Sequence, residues 1–109
     1  MIKLDIKPLS VNQVWKGRRY KTDLYKSYER NVSLLLPKVD FPEGSVHLSL
    51  VFGFSNKGSD IDNPLKPFLD ILQKVYGFND KDIYKLSVEK KVVKKGKEFI
   101  EFEVEGIIV

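Results

Sequence analysis

Cysteine is absent from the 109 residues, and the chain has a single histidine, His47. Without cysteine there is no disulfide and no thiolate metal site, and one histidine makes a zinc site unexpected. No apolar run approaches the length of a membrane span, and residues 1–5 lack the apolar core of a signal peptide. We therefore expect a cytoplasmic protein without a membrane partner.

The length of the chain predicts a single domain over residues 1–109, because 109 residues can bury one core but not two. A hydrophobic share of 42% and a charged share of 31% are typical of a globular protein. The formal net charge is +4, and its distribution is uneven along the chain. A moderate positive charge favours an anionic partner such as nucleic acid.

Hydrophobic periodicity predicts the order β-α-β-α-β-β. Apolar residues alternate with polar ones in four segments, and they recur at spacings of three and four in two others. The predicted strands are residues 2–6, 46–54, 84–92 and 100–104, and the predicted helices are residues 23–36 and 64–76. Residues 8–21 are predicted to form a polar loop or arm. The fold class is therefore α+β, a two-layer domain with two helices on one face of a mixed sheet of about four strands.

The last two predicted strands are separated by a short basic turn, Lys94-Lys95-Gly96-Lys97. Two alternating segments joined by a Gly-containing turn are typical of a hairpin, so we expect these strands to be antiparallel neighbours. The lysines around the turn, together with Lys90 and Lys91, form either a solvated hairpin tip or a further surface for DNA.

An acidic segment between the second strand and the second helix carries the strongest chemical signal. In an extended stretch Asp60 and Asp62 would point to the same side, with backbone positions roughly 7 Å apart. Carboxylates that close repel each other unless a cation lies between them, and hard oxygen ligands suit Mg²⁺ or, as a substitute, Mn²⁺. The segment therefore predicts a divalent metal site, and no organic cofactor is expected.

The helix after this segment is predicted to begin with Asn63 as N-cap and Pro64 as first residue. Lys66 and Asp70 then lie on its polar edge, four residues apart. A lysine in a first helical turn opposes the helix dipole, which indicates a role beyond stability. Two more acids, Asp80 and Asp82, follow the predicted C-cap Gly77. The alternative is that all these charges are simply the solvated face of an amphipathic helix.

A second polar cluster lies in the N-terminal arm, where basic residues alternate with aromatic ones. Basic side chains beside aromatic rings suit a nucleic-acid backbone and unstacked bases, so we interpret this arm as a DNA-binding surface. Its predicted DNA-contacting residues are Asn12, Trp15, Lys16, Arg18, Arg19, Tyr20 and Lys21.

These motifs together resemble the RusA family of Holliday junction resolvases, which are small bacterial and phage endonucleases. The resemblance rests on Asp60-x-Asp62-Asn63-x-x-Lys66-x-x-x-Asp70-x-Leu72, on Asn79-Asp80-x-x-Ile83, and on an N-terminal motif around residues 8–20. It implies that Asp60, Asp62 and Asp80 bind metal, that Lys66 is catalytic, and that Asp70 and Asn63 support them. Where many members have two successive acids, this chain has Asn79-Asp80, so Asp80 is the preferred third ligand and Asp82 the weaker candidate.

The resemblance implies an Mg²⁺-dependent endodeoxyribonuclease that resolves four-way DNA junctions by paired nicks during recombination and repair. A four-way junction has approximate two-fold symmetry, so a homodimer is the natural assembly. The apolar residues near 34–36 or the C-terminal tail 107–109 are candidate dimer contacts. Two alternatives stay open, a non-catalytic module that binds branched DNA and a metal-dependent nuclease acting on forks, flaps or RNA.

Overall fold

The computed structural model describes residues 1–17 and 20–108 and is built around strand β4, Val46–Phe54. Apolar residues at every second position of β4 face the core, as the alternation predicts. Val51, which points to the opposite face, is buried as well. A strand buried on both faces needs a hydrogen-bonded neighbour along each edge, and β4 has one on each side.

The main sheet has four strands in the order β1-β6-β4-β5, where β1 is Ile2–Leu4, β5 is Ile83–Val92 and β6 is Phe99–Gly106. Strands β1 and β6 are antiparallel, as are β6 and β4, whereas β4 and β5 are parallel. The mixed four-stranded sheet predicted from the sequence is confirmed.

The prediction that the last two strands are hydrogen-bonded neighbours is wrong, because β4 lies between β5 and β6. The link through residues 93–98 crosses the end of β4, where the Val93 N–H donates to the Phe54 carbonyl over 2.6 Å. A helical connection from β4 to β5 makes parallel pairing of these two strands possible. Alternation identified both segments as strands but contained no information about which strand each one joins.

Two helices cover one face of the sheet, as predicted. Helix α1, Asp23–Leu35, begins after Thr22, whose side chain accepts the Tyr25 N–H. Helix α2, Leu65–Tyr76, ends at Gly77, which takes the left-handed conformation (φ 72°) that glycine adopts without strain. Within residues 1–17 and 20–108 no helix is long and apolar enough to cross a bilayer.

Aromatic packing fixes α2 on the sheet. The Phe68 ring of α2 meets Phe52 of β4 edge-on, with centroids 6.2 Å apart, and Phe102 of β6 at 5.9 Å. All three side chains are fully buried in the single core cluster that joins both helices to the sheet. Edge-to-face pairs of this kind add about 0.5–1.5 kcal/mol beyond their buried area. The polar edge of α2 is thereby held in a fixed position against the sheet.

The N-terminal arm is more ordered than the loop predicted for residues 8–21. A 3-10 turn, Val11–Gln13, is capped by Ser10, and two short antiparallel strands follow, β2 at Trp15–Lys16 and β3 at Tyr20–Lys21. Two-residue strands are too short to show alternation, so the sequence pattern could not distinguish them from a loop. We call β2 and β3 together the basic hairpin.

Candidate active site

The predicted acids Asp60 and Asp62 lie at the junction between β4 and α2, as expected, but their segment is turned and not extended. The Asn63 N–H donates to the Asp60 carbonyl over 3.3 Å, and the Leu65 N–H donates to the Asp62 carbonyl over 3.1 Å. Both carboxylates are exposed to solvent. We call residues 60–64 the acidic turn.

Asn63 is not the N-cap of α2, so that prediction is wrong by one residue. Pro64 occupies the cap position with helical dihedral angles (φ −85°, ψ −5°), and no side chain caps this end. Pro64 already takes part in the helical hydrogen bonding, since its carbonyl accepts the Phe68 N–H over 3.3 Å. The Asn63 carbonyl accepts the Val11 N–H over 2.8 Å, which ties the N-terminal arm to the acidic turn.

Lys66 lies in the first turn of α2, as predicted, and is surrounded by carboxylates. Its Nζ lies 3.0 Å from Asp70 and 4.0 Å from Asp80. The hydrogen bond and charge of Asp70, followed by the charge of Asp80, raise the pKa of the Lys66 ammonium. Lys66 is therefore a cation at neutral pH and cannot serve as a general base there.

The ion pairs of Lys66 are open to solvent, with 64% of its side chain and 52% of that of Asp80 exposed. Exposed ion pairs of this kind contribute about 0.2–1 kcal/mol at most. Lys66 can therefore exchange a carboxylate for another anion, such as a phosphate group, at low energetic cost.

Asp80 reaches Lys66 because the chain after Gly77 is fastened back onto α2. The Asp80 N–H donates to the Gln73 side-chain oxygen over 3.0 Å. Asn79 caps the 3-10 turn Asp80–Asp82 by accepting the Lys81 N–H over 3.0 Å. Gln73 was not among the predicted site residues, although its position on the polar edge of α2, three residues after Asp70, is a usable signal.

Asp82, the weaker ligand candidate, lines a different cavity. Its neighbours there include Phe41, Tyr76 and Phe78. The Phe41 ring stacks on Phe78 with centroids 4.2 Å apart and planes nearly parallel at 8°. The structure thus groups Asp80, and not Asp82, with Lys66.

The donor set of the predicted metal site fits a hard divalent ion, because every predicted ligand is a solvent-accessible carboxylate. The described part of the chain, however, holds no group of three or more His, Cys, Asp or Glu side chains placed to bind one ion. The fold brings Asp80 to Lys66 and keeps Asp60 and Asp62 in the adjoining acidic turn. The three-carboxylate site of Asp60, Asp62 and Asp80 stays a prediction.

The basic hairpin presents its aromatic side chains to solvent, with 51% of Trp15 and 74% of Tyr20 exposed. Lys16 is exposed as well, and Lys21 is half-buried with its Nζ 4.5 Å from the centre of the Tyr25 ring. Asn12 is exposed on the neighbouring 3-10 turn. The predicted DNA contacts of Arg18 and Arg19 lie outside the described residues.

The lysines near the end of β5 do not form one uniform surface. Lys90 is half-buried and donates to the backbone carbonyls of Lys57 and Ser59 in the loop before Asp60. Lys94 and Lys97 instead form the exposed turn around Gly96. All of these lysines belong to one basic cluster in the sequence, and composition alone could not distinguish Lys90 from the others.

His47 lies on the face of the sheet opposite the helices, between core residues of β4 that face the other way. Its ring nitrogens lie 3.1 Å from Glu105 Oε1 and 2.8 Å from the Ser87 hydroxyl, on the two strands that flank β4. These contacts join three neighbouring strands, which indicates a structural role.

An exposed lysine and several carboxylates flank helix α2 in this small α+β domain, and a basic hairpin with exposed aromatic rings lies in the N-terminal arm that is tied to the acidic turn. This combination is expected of a protein that acts on nucleic-acid phosphates. A family comparison makes this specific: the family described as endodeoxyribonuclease RusA matches residues 7–105, and the chain belongs to this family. The resemblance found in the sequence is confirmed. No match was found among curated proteins.

Family membership has a direct consequence for the class of activity. RusA proteins are endodeoxyribonucleases that resolve Holliday junctions, so the chain is an enzyme that acts on branched DNA. The alternative of a non-catalytic DNA-binding module is disfavoured accordingly.

Proposed function

We propose that this protein resolves four-way DNA junctions by paired symmetric nicks, with Mg²⁺ as its metal ion, Mn²⁺ as a possible substitute, and no organic cofactor. The observation that carries the proposal is the position of Lys66. It lies at the start of α2, contacts Asp70 and Asp80, and directly follows the acidic turn with Asp60 and Asp62. Because its substrate is chromosomal or phage DNA, we place the protein in the bacterial cytoplasm.

Asp60, Asp62 and Asp80 are the residues proposed to hold the ion. A divalent cation bound there would polarise a phosphodiester oxygen and lower the pKa of a bound water. Mg²⁺ in proteins is commonly held by one or two carboxylates, with waters and substrate phosphates completing its shell. A site that is open in the free chain and completed by DNA is compatible with exposed acids that do not converge in groups of three.

Lys66 is proposed to stabilise the negative charge that develops on the scissile phosphate. Its ammonium is already held near the acids by Asp70, and the exposed pair with Asp80 is weak enough to be exchanged. If Asp80 bound a metal ion, Lys66 would keep Asp70 as its orienting partner and would be free to contact a phosphate. A fixed cation at that position lowers the energy of the transition state.

The basic hairpin is proposed to hold the DNA beside this site. The 3-10 turn Val11–Gln13 that precedes the hairpin is hydrogen-bonded to the acidic turn through Val11 and Asn63, which fixes the N-terminal arm next to that turn. The exposed rings of Trp15 and Tyr20 offer stacking surfaces for bases unpaired at a branch point, and the lysines offer charge to the backbone. Contacts from Asn12, Lys16, Arg18, Arg19 and Lys21 belong to the same proposal.

A homodimer would present two identical sites to the two symmetric strands of a junction. The end of α1 is one of the two candidate interfaces predicted from the sequence, and 78% of Leu34 is exposed there beside the exposed Leu35. Sedimentation of the native chain and of Leu34→Glu tests this directly. A native dimer that becomes monomeric in the variant supports the interface, and a monomeric native chain contradicts the dimer.

The proposed function is tested by cleavage of an end-labelled synthetic four-way junction in Mg²⁺, comparing native protein with Asp62→Asn and including linear duplex as competitor. We expect paired symmetric nicks from the native protein and none from a variant that still binds the junction. The asparagine keeps the size of the side chain and removes its charge, so the loss would report the carboxylate and not the packing.

Replication-fork and flap substrates in the same experiment separate the remaining candidate functions. Faster cleavage of forks or flaps than of four-way junctions would replace the junction proposal with a nuclease of different branch preference. Binding without cuts by the native protein, in both Mg²⁺ and Mn²⁺, would contradict the catalytic proposal altogether.

A further inference from the structure

Lys90 occupies a position on β5 that alternation would assign to an apolar residue. It is paired in register with Phe52 of β4, and its neighbours at the same face of β5 are Val88 and Val92. Its Nζ lies 5.9 Å from the centre of the Phe54 ring. A half-buried ammonium loses part of its hydration, so it is retained only where fixed acceptors replace that hydration.

The acceptors of Lys90 are backbone carbonyls of the loop that leads to the acidic turn. Nζ donates to the Lys57 carbonyl over 2.8 Å and to the Ser59 carbonyl as well. Ser59 directly precedes Asp60 in the chain. One side chain from β5 therefore holds two alternate residues of this loop, the second of which adjoins the first predicted ligand.

Other contacts fasten the beginning of the loop to the sheet or lie within the loop, including a bond from the Ser59 N–H to the Asn56 carbonyl over 3.4 Å. The Ser55 hydroxyl donates to Glu98 over 2.8 Å, and Asn56 accepts the Gly58 N–H over 2.7 Å within the loop. After Ser59, the next backbone hydrogen bond along the chain is from the Asn63 N–H to the Asp60 carbonyl, inside the acidic turn. Between residues 57 and 59, the Lys90 ammonium supplies the link from the loop to the sheet.

We propose that Lys90 is a positioning residue that fixes the loop before Asp60 and thereby places Asp60 and Asp62 for metal binding. This inference rests on the proposed function, because it gives those two acids their role. Lys90 does not touch the reacting atoms; it acts through the carbonyls of Lys57 and Ser59 on the direction in which the acidic turn leaves the sheet. Loss of such supporting contacts typically lowers metal affinity or activity by about 10–100-fold.

The test compares Lys90→Met with Lys91→Met. Methionine keeps the aliphatic stem and removes the ammonium. Lys91 is the neighbouring residue on the opposite face, where its exposed ion pair with Glu89 is long at 3.7 Å, so the control removes the same charge without releasing the loop. Any general loss of attraction for DNA is shared by the two variants.

Two measurements are made on each protein: the Mg²⁺ concentration that gives half-maximal junction cleavage, and amide hydrogen exchange across residues 55–62. For Lys90→Met we expect the Mg²⁺ requirement to rise about 10-fold or more, with most of kcat recovered at saturating Mg²⁺. Exchange at Gly58 and in the acidic turn should become faster. Lys91→Met should match the native protein in both measurements.

The possible outcomes separate this inference from the proposed function. A Mg²⁺ requirement for Lys90→Met equal to that of Lys91→Met overturns the positioning role, even if loop exchange is faster. Unchanged exchange with a raised requirement also overturns it, because the loop would not be the mediator. If native protein shows no metal-dependent cleavage at all, the proposed function fails, whatever the exchange data show about the loop.

Discussion

Helix α2 carries two lysine–carboxylate pairs of similar length that serve different purposes. Near its start, Lys66 pairs with Asp70 of the same helix at 3.0 Å. Near its end, Lys74 pairs with Glu29 of α1 at 2.8 Å, and the same carboxylate accepts a hydrogen bond from the buried Tyr25. The Lys66–Asp70 pair lies within one helix, whereas the Lys74–Glu29 pair connects α2 to α1.

In the proposed function, the pair near the start of α2 serves catalysis and the pair near its end serves stability. The bond from Lys74 is the largest influence on Glu29 and lowers the pKa of its carboxyl, which is also lowered by the hydrogen bond from Tyr25. At the other end, the acids raise the pKa of Lys66 without fixing any packing. Because its ion pairs are exposed and hold no packing together, Lys66 is proposed to be available to a substrate phosphate.

The largest expected effect separates the two acids beside Lys66. Asp80→Asn should lower junction cleavage on the order of 1,000-fold, the scale seen when a group that stabilises a transition state is lost. Asp70→Asn should lower it about 10-fold, because Lys66 loses its orienting partner but the proposed ligands remain. Single-turnover cleavage with excess enzyme measures both. Equal losses would show that Asp80 is only a second partner of the lysine.

Lys66→Met and Lys74→Met test the comparison itself. We expect Lys66→Met to lower cleavage about 100-fold with little change in thermal unfolding. Lys74→Met should leave cleavage near the native rate and lower the unfolding temperature, since it breaks the link between α1 and α2. Both residues lie on the same helix with similar exposure, so each is the control for the other. The reverse pattern would overturn the assignment of roles.

A smaller effect is expected from Trp15→Ala in the basic hairpin. Stacking of one base on an aromatic ring contributes about 1–3 kcal/mol, so junction affinity should fall about 10-fold, measured by fluorescence anisotropy without metal. The maximal cleavage rate at saturating protein should change little. Tyr84→Ala, which removes an exposed ring from β5, is the matched control. An equal loss of affinity in both variants would argue against a specific role of the hairpin.

The smallest effect concerns pH and the Glu29 pair. A carboxyl whose pKa is lowered by folding stabilises the folded state above its ordinary value of 4.5, and this contribution disappears as the pH falls through the lowered pKa. Glu29→Gln should therefore lower the free energy of unfolding by about 0.5–1 kcal/mol at pH 7, allowing for its partial exposure.

The difference from native should vanish in strongly acidic solution, as followed by thermal unfolding between pH 7 and pH 3. Glu103→Gln, on the open face of the sheet, should show no such convergence. A Glu29→Gln difference that persists unchanged at low pH would mean that packing, and not charge, is responsible.

Local features of this chain were predictable from its sequence, and the reason is the short range of the interactions involved. The bounds of α1, the end of α2 at Gly77 and the pairing of Lys66 with Asp70 all depend on residues within one or two helical turns. Spacing alone related Asp60 to Asp62, and the family motif added Asp80 as the third proposed ligand.

Features that depend on distant residues were not predictable in the same way. Strands β5 and β6 follow each other in the chain, yet each pairs with β4, because the most apolar strand takes the central position. Lys90 contacts the loop before Asp60 from more than thirty residues away. Composition grouped Lys90 with the lysines of a predicted hairpin tip. It could not reveal this contact, since nothing local in the sequence distinguishes one lysine of such a cluster from another.

Mn²⁺ binding distinguishes the proposed metal ligands Asp60, Asp62 and Asp80 from Asp70, which is proposed to orient Lys66. Electron paramagnetic resonance of free Mn²⁺ would be followed while native protein, Asp62→Asn or Asp70→Asn is added in the presence of junction DNA. We predict that Asp70→Asn depletes free Mn²⁺ as the native protein does and that Asp62→Asn depletes it at least about 10-fold less effectively. Equal depletion of free Mn²⁺ by Asp62→Asn and by native protein would show that Asp62 is not a metal ligand.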